Sequence, residues 1–159
     1  MSQSNSFREI QEADHSAVRA IYVDAINFLA IGLYSQEQID AWSSLAVLPG
    51  ILDRTLLDGK GWLSLENNEI AAFAVRHPDY RLALLYCKPS FSRRGHATKL
   101  LMKVERDAFH EGQEYLVTEA SLLSYPILLK KGWIFVKIDD IEINGVPFQR
   151  CIMHKNLTK

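Results

Sequence analysis

The sequence predicts an α/β domain with a mixed sheet. Helical spacing of apolar residues dominates the first third of the chain, strand-like apolar segments follow from Gly61 onward, and Asn144-Gly145 marks a hairpin near the end. Of the 159 residues, 48% are hydrophobic and 23% are charged, which suffices for one core without disulfides or metals. Nothing repeats and no linker divides the chain, so we expect a single domain over residues 1–159.

Helices are predicted early in the chain. After a short strand at residues 7–10, Asp14 caps a helix whose apolar residues recur at helical spacing for about four turns. Ser35 and Gln38 have the spacing of a capping box for a short second helix. The segment around Leu56-Leu57 is less regular and predicts no element.

Strands follow. Residues 61–65 and 70–75 predict an antiparallel hairpin around the Asn67-Asn68 turn. Residues 83–87 are almost continuously apolar, which is typical of a central strand covered on both faces, and residues 115–118 form a further strand.

Two more helices and a closing hairpin complete the pattern. One amphipathic helix runs from Gly95 to Gly112, and another begins between residues 121 and 124, with Ser124 as its cap. Strands at residues 133–143 and 146–154 flank the Asn144-Gly145 turn.

Charge and composition exclude several functions. The net charge of −1 and a pI near 6.5 provide no basic face for nucleic acid or an anionic membrane. No stretch reaches the roughly 18 apolar residues that a membrane-spanning helix needs, and the N-terminus lacks a signal-peptide pattern, so we expect a cytoplasmic protein. Cys87 and Cys151 have no metal-ligand spacing, so we expect no metal and two reduced, buried thiols.

The most informative stretch is a strand, a basic loop and a helix over residues 84–101. The loop turns on Gly95, and Arg93 and Arg94 lie beside it. Backbone N–H groups of such a loop can converge at the positive end of the helix dipole, which predicts a site for an anion, and we interpret it as a site for a diphosphate.

This loop and a second block resemble the GNAT superfamily of acyl-CoA-dependent N-acyltransferases. The family's loop pattern is Gln or Arg, two variable residues, Gly, one variable residue, then Gly or Ala, and it falls on residues 92–97. The second block, residues 119–133, corresponds to the family's helix ending in Gly-Phe, here Gly132-Trp133. The resemblance covers nearly the whole chain. It implies a GNAT-like α/β (α+β) fold with a mostly antiparallel central sheet, flanking helices, a V-shaped splay between the two central strands and a C-terminal β-hairpin.

The resemblance implies acetyl-CoA as cofactor. The loop N–H groups would hold the diphosphate, and the exposed edge of the splayed central strand would pair with the amide-rich pantetheine arm. Ser121 stands where the family often has an Asn that contacts the cofactor. The residues implied in cofactor binding are Leu85, Tyr86, Cys87, Arg93, Arg94, Gly95, His96, Ala97, Thr98 and Ser121.

Three positions depart from the family. Ser92 replaces the usual Gln or Arg, although the loop stays basic. Leu128 stands where many members have the Tyr that protonates the leaving thiolate, and leucine has no proton to donate. Trp133 replaces Phe, an aromatic exchange at a core position.

Glu119 and Tyr86 are the candidate catalytic residues. Glu119 ends a strand just before the cofactor-facing helix and is the first candidate for the base, with an ion pair to Lys or Arg as the alternative. Tyr86 adjoins the implied thioester, although an aromatic residue in a central strand is more often a core residue than a catalyst. Cys87 lacks a neighbouring His or acid in the sequence, which argues against a covalent acyl-enzyme.

The acceptor pocket in such folds forms between the first two helices and the final hairpin. Its candidate lining residues are Phe28, Tyr34 and Trp42, which equally fit an ordinary core.

The resemblance therefore implies an N-acetyltransferase that moves an acetyl group from acetyl-CoA to the primary amine of a small molecule or peptide, by direct attack in a ternary complex. A catalytically silent acyl-CoA-binding module is the alternative, and Leu128 is its best argument. A Rossmann-type nucleotide domain is disfavoured by the single loop glycine and the closing hairpin. A homodimer is left open.

Overall fold

Seven β-strands and five α-helices make up the computed structural model, which describes residues 5–157. All strand pairings within its two sheets are antiparallel, and the strand orders are β1-β2-β3-β4 and β5-β7-β6. The strands are β1 (Asn5–Glu9), β2 (Lys60–Glu66), β3 (Glu69–Arg76), β4 (Leu82–Cys87), β5 (Tyr115–Ala120), β6 (Ile134–Ile143) and β7 (Val146–Asn156). The helices are α1 (His15–Leu29), α2 (Gln36–Ser43), α3 (Leu52–Asp58), α4 (His96–His110) and α5 (Tyr125–Lys130).

The first two helices begin where the sequence predicts. Ser35 and Gln38 form the expected capping box of α2, because each side chain accepts a hydrogen bond from the other residue's backbone N–H. Asp14 occupies the cap position of α1, but its carboxylate accepts from the N–H of Gln11 at 2.8 Å and from Arg8. It therefore ties β1 to the helix start and does not cap α1.

Helix α3 corrects the expectation of an irregular segment around Leu56-Leu57. Leu52 and Leu56, one helical turn apart, are both buried in the core. A helix of seven residues has only two such buried positions, which are too few to show helical periodicity in the sequence. Packing against the core is therefore what stabilises this helix.

Both predicted hairpins are present. Asn67 and Asn68 have positive φ between β2 and β3, and Asn144 and Gly145 have φ of 49° and 76° between β6 and β7. Two consecutive residues with positive φ give the backbone twist that matches two antiparallel strands.

The two sheets meet where β4 and β5 start side by side. The N–H of Val117 donates to the carbonyl of Tyr80 at 2.9 Å, and the Thr118 hydroxyl donates to the carbonyl of Leu82 at 2.6 Å. Ala83 is an extra residue in the β3–β4 register, and such a bulge bends its strand. Beyond it, β4 and β5 share no ladder within residues 5–157, and a cavity opens between them.

This splay confirms the expected V shape and corrects one detail. The side chains of β4 pack into cores on both sides of the sheet, but residues 83–87 are only half-buried. The sequence pattern predicts a central strand that is covered on both faces. Residues 83–87 are partly exposed because one edge of this strand faces an open groove.

Two apolar cores lie on opposite faces of the sheet. Phe73 and Val75 of β3 pack with α1, α2 and α3, while the alternate residues Ala72 and Ala74 pack with α4. The sheet thus lies between two layers of packed side chains. Over residues 5–157, none of the helices combines the length and apolarity needed to cross a membrane.

Candidate functional site

The basic loop connects β4 to α4 and opens into a groove. Gly95 caps α4 with a φ of +87°, a conformation that favours glycine. The Lys99 N–H donates to the Gly95 carbonyl at 3.0 Å, so the N–H groups of residues 96–98 precede the regular helical ladder. A Cβ atom at Gly95 would meet no atom within 4 Å, so this face of its backbone is open to a ligand.

The groove has a volume of about 450 Å³ and brings together most of the residues predicted to bind the cofactor. Ser124, Ile127 and Lys130 from the α5 region complete its wall, and no sequence motif had singled out the last two. Arg94 and Ser121 are not among its lining residues. The predicted residues that line it are Leu85, Tyr86, Cys87, Arg93, Gly95, His96, Ala97 and Thr98.

Arg94 turns away from this groove. Its guanidinium donates to the Glu66 carboxylate and lies 5.2 Å from the centroid of the Phe91 ring. The Arg94 charge is thus paired with the Glu66 carboxylate. The cationic side chains that line the groove are those of Arg93 and Lys130.

A buried polar cluster lies behind the loop. The imidazole of His96 is hydrogen-bonded to Glu66 through Nε2 at 2.9 Å and to the Ser64 hydroxyl through Nδ1 at 2.7 Å. Glu66 and His96 are 4% and 2% exposed. The hydrogen bond from His96, with the charge of Arg94 beside it, lowers the pKa of the Glu66 carboxyl. The cluster fastens the first residue of α4 to β2, which sequence reasoning did not foresee.

Glu66→Gln is expected to destabilise the fold most at neutral pH. A carboxyl whose pKa is lowered by folding contributes stability above its unfolded-state pKa of about 4.3 and loses that contribution as pH falls through the folded-state pKa. The urea midpoint of the variant should fall by about 1 M at pH 7, and the difference should narrow below about pH 4. Glu69→Gln, at the exposed start of β3, is the matched control, and equal effects of both changes would contradict the prediction.

A second cavity lies on the other side of β4. It has a volume of about 280 Å³ and is lined by α1, α2, α3 and the β6–β7 hairpin, with Tyr34 and Trp42 among its lining residues. Phe28 is 66% exposed and lies outside this lining, so the structure does not support its predicted place. Tyr22 lines the cavity from α1 instead, and Phe28, six residues later, is about 240° around the helix from it.

Glu119 lies at the end of β5, where it lines both this cavity and the splay. The Nε of Arg81 donates to both of its carboxylate oxygens, at 2.9 and 3.1 Å. The two readings of Glu119 thus coexist: it has an arginine partner and it also faces the cavity. Arg81 follows the turn before β4 and carried no motif that could have identified it.

Tyr86 lines the groove, the splay and the second cavity. Its ring stacks on Phe73 at 5.7 Å and contacts Tyr22 at 4.8 Å between centroids. Burial raises the pKa of the Tyr86 hydroxyl well above 10, so the phenol stays protonated at neutral pH. It can donate a hydrogen bond but cannot serve there as a base.

Leu128 is completely buried in the core that also contains Trp133. The indole N–H of Trp133 donates to Glu105 at 3.0 Å. Both positions thus support the packing of α5, and neither presents a proton donor to the groove.

The two cysteines are free but only half-buried, so the expected full burial is wrong. Cys87 lies on the part of β4 that faces the open groove, which accounts for its exposure. Burial still raises the pKa of its thiol to about 11, so the thiolate is scarce at neutral pH. Among residues 5–157, no cluster of His, Cys, Asp or Glu is arranged to hold a metal ion.

A known family of proteins matches most of this chain. The sequence profile of the acetyltransferase (GNAT) domain matches residues 31–156. The chain belongs to the GNAT acetyltransferase family. The matched residues include the basic loop and most of the residues that line the two cavities. The resemblance of the two sequence blocks to this family is therefore confirmed.

This GNAT chain is similar over most of its length to a curated relative. It is 26% identical over 146 residues to an uncharacterised N-acetyltransferase, YafP, of Escherichia coli K12, and the match covers 92% of each chain.

Solved GNAT structures superpose over nearly the whole chain. A GCN5-related N-acetyltransferase from Rhodopseudomonas palustris gives a TM-score of 0.92 with 25% identity, covering 98% of both chains. The PaiA N-acetyltransferase of Thermoplasma acidophilum, solved with coenzyme A, gives 0.74 with 17% identity and covers 96% of this chain and 99% of its own. YncA of Salmonella typhimurium, a structure with acetyl-CoA, gives 0.67 with 20% identity over 98% and 95% of the two chains.

Proposed function

We propose that this GNAT enzyme transfers an acetyl group from acetyl-CoA to the primary amine of a small molecule or peptide, by direct attack in a ternary complex. One observation carries the proposal: the groove and the second cavity lie on two sides of β4 and meet at Tyr86, which lines both. Two substrates can therefore be bound at once with their reactive ends at the same strand, and no acyl-enzyme is required.

The groove has the features that coenzyme A requires. Backbone N–H groups of residues 93–98 would hold the diphosphate, assisted by the helix dipole of α4 and by Arg93. The open edge of β4 over residues 85–87 would pair with the pantetheine amides as an added strand. Coenzyme A or acetyl-CoA in the structures of PaiA and YncA supports this assignment.

Acetyl-CoA supplies an activated carbonyl, and the chain must bring the amine to it and remove a proton. We assign the removal to Glu119, which is the carboxylate lining the second cavity and also borders the splay. As the amine nitrogen forms the amide bond and the carbon–sulfur bond breaks, its proton passes to Glu119 and the sulfur leaves as a thiolate. A backbone N–H of β4 stabilises the charge that develops on the carbonyl oxygen.

Protonation of the thiolate is assigned to water. Leu128, at the position where many family members have the tyrosine that acts as the acid, is an aliphatic core residue with no proton to donate. A cytoplasmic location and a homodimer remain predictions from the sequence.

The proposal is tested by mixing the protein with acetyl-CoA and a panel of primary amines while free thiol is followed. Amine-dependent thiol release above the slow hydrolysis of acetyl-CoA is expected, together with a mass increase of one acetyl group on the amine. The buried Leu128 favours one competing function, a silent acyl-CoA-binding module. Tight coenzyme A binding by calorimetry with no turnover of any amine would establish that module.

A further inference from the structure

The second cavity carries information about the acceptor. Resting on the proposed function, we propose that the acceptor is a small primary monoamine whose body is a single apolar group, preferentially an aromatic ring. Three features carry this inference: the side chains that form the wall, the pairing of the charges around it, and its size.

An aromatic wall covers one side of the cavity, formed by Tyr22, Tyr34, Trp42, Tyr86 and Phe148. Its rings contact one another in tilted and edge-to-face pairs, with centroids 5.2 Å apart for Tyr34 and Trp42 and 6.5 Å apart for Trp42 and Phe148. Such a wall accepts a further ring at its edges and faces.

The charged side chains that line the cavity already form ion pairs within the protein. Arg81 binds Glu119, and Arg150 binds Asp139 at 2.5 Å, so neither arginine presents an unmatched charge to a substrate carboxylate. Glu119 is the carboxylate among the described residues that line the cavity. One amine can approach it, whereas a second ammonium group would be buried against the aromatic wall without a partner, which is costly.

The volume of the second cavity also favours a small acceptor. A volume of about 280 Å³ is at the lower end for pockets that hold small molecules. A wider, open cavity outside it carries the exposed carboxylates Asp140 and Glu142 on β6. These charges draw cationic amines towards the entrance but, being exposed, add little affinity. A small ring fits the inner cavity, whereas a peptide would leave most of its length in the outer one.

The test compares kcat/KM for three probes with the wild-type protein: 2-phenylethylamine, spermidine and a lysine-containing tetrapeptide. 2-Phenylethylamine should exceed both others by at least about tenfold, because the ring gains its burial only in this cavity. Equal or better turnover of spermidine or the peptide would overturn the inference and leave the acetyltransferase proposal standing. Turnover of no amine would overturn both. Calorimetry of 2-phenylethylamine with coenzyme A present tests the pocket independently of turnover, and no detectable binding counts against it.

A variant tests the same cavity without disturbing the core. Ile51 lines the cavity but is 47% exposed and precedes α3, where an aspartate is well tolerated. Ile51→Asp should lower kcat/KM for 2-phenylethylamine and raise it for spermidine by supplying a partner for the second ammonium group. Val47→Asp, exposed and outside the lining, is the matched control and should leave both values unchanged. An unaltered ratio in Ile51→Asp would contradict the assignment.

Discussion

Gly95→Trp is expected to abolish coenzyme A binding while leaving the protein folded. A Cβ atom at Gly95 meets no protein atom within 4 Å, and Gly95 lines the groove, so we expect an indole there to occupy space in front of the loop N–H groups. Those donors would hold the diphosphate through several charge-assisted hydrogen bonds, and their loss should weaken binding by at least about 100-fold. Titration calorimetry with coenzyme A measures the effect.

Gly112→Trp is the matched control for this substitution. Gly112 follows the other end of α4, with a φ of +92° and likewise no atom within 4 Å of an added side chain. Both changes place a side chain in the left-handed region, at a cost of roughly 1–2 kcal/mol each, so their melting temperatures should fall alike. Unchanged coenzyme A affinity in Gly95→Trp, or an equal loss in Gly112→Trp, would refute the diphosphate assignment.

Glu119→Gln is expected to lower kcat by about 100-fold or more, with coenzyme A affinity unchanged. The amide has the shape of the carboxylate but cannot take the amine's proton. Initial rates with the best amine of the panel and titration calorimetry with coenzyme A measure the two effects separately.

Arg81→Lys and Glu114→Gln separate proton transfer from positioning. Arg81→Lys keeps the Glu119 carboxylate but replaces the guanidinium that holds it, so kcat should fall less than in Glu119→Gln. Glu114 is exposed just before β5 and away from the cavity, and Glu114→Gln should be silent. A Glu119→Gln enzyme with an unchanged kcat would remove this residue as the base.

The fold was largely predictable because local signals and the tertiary structure agree. The capping box at Ser35 and Gln38, the Asn-Gly turn and the glycine before α4 are all rules of backbone geometry within a few residues. The loop was recognisable for the same reason, since a strand, a glycine and a helix N-terminus make an anion site without help from distant residues.

The side-chain partners were not predictable, because they depend on contacts between distant segments. Arg94 follows Arg93 directly, yet only Arg93 lines the groove, and the difference lies in Glu66, 28 residues earlier in the chain. Arg81 meets Glu119 across 38 residues. Phe28 was misplaced because an aromatic side chain in the sequence does not show which side of α1 it lies on, and this one is 66% exposed.

The splay has a consequence for how the protein responds to its ligand. Within residues 5–157, the two sheets share one isolated bridge at Arg81 and Val117, so the backbone on the facing edge of β4 is left to solvent. A pantetheine arm would supply hydrogen bonds along this edge, between two sheets that already share both apolar cores. Acetyl-CoA would then be a structural strand as well as a reactant, and each release of coenzyme A would leave that edge without its partner again.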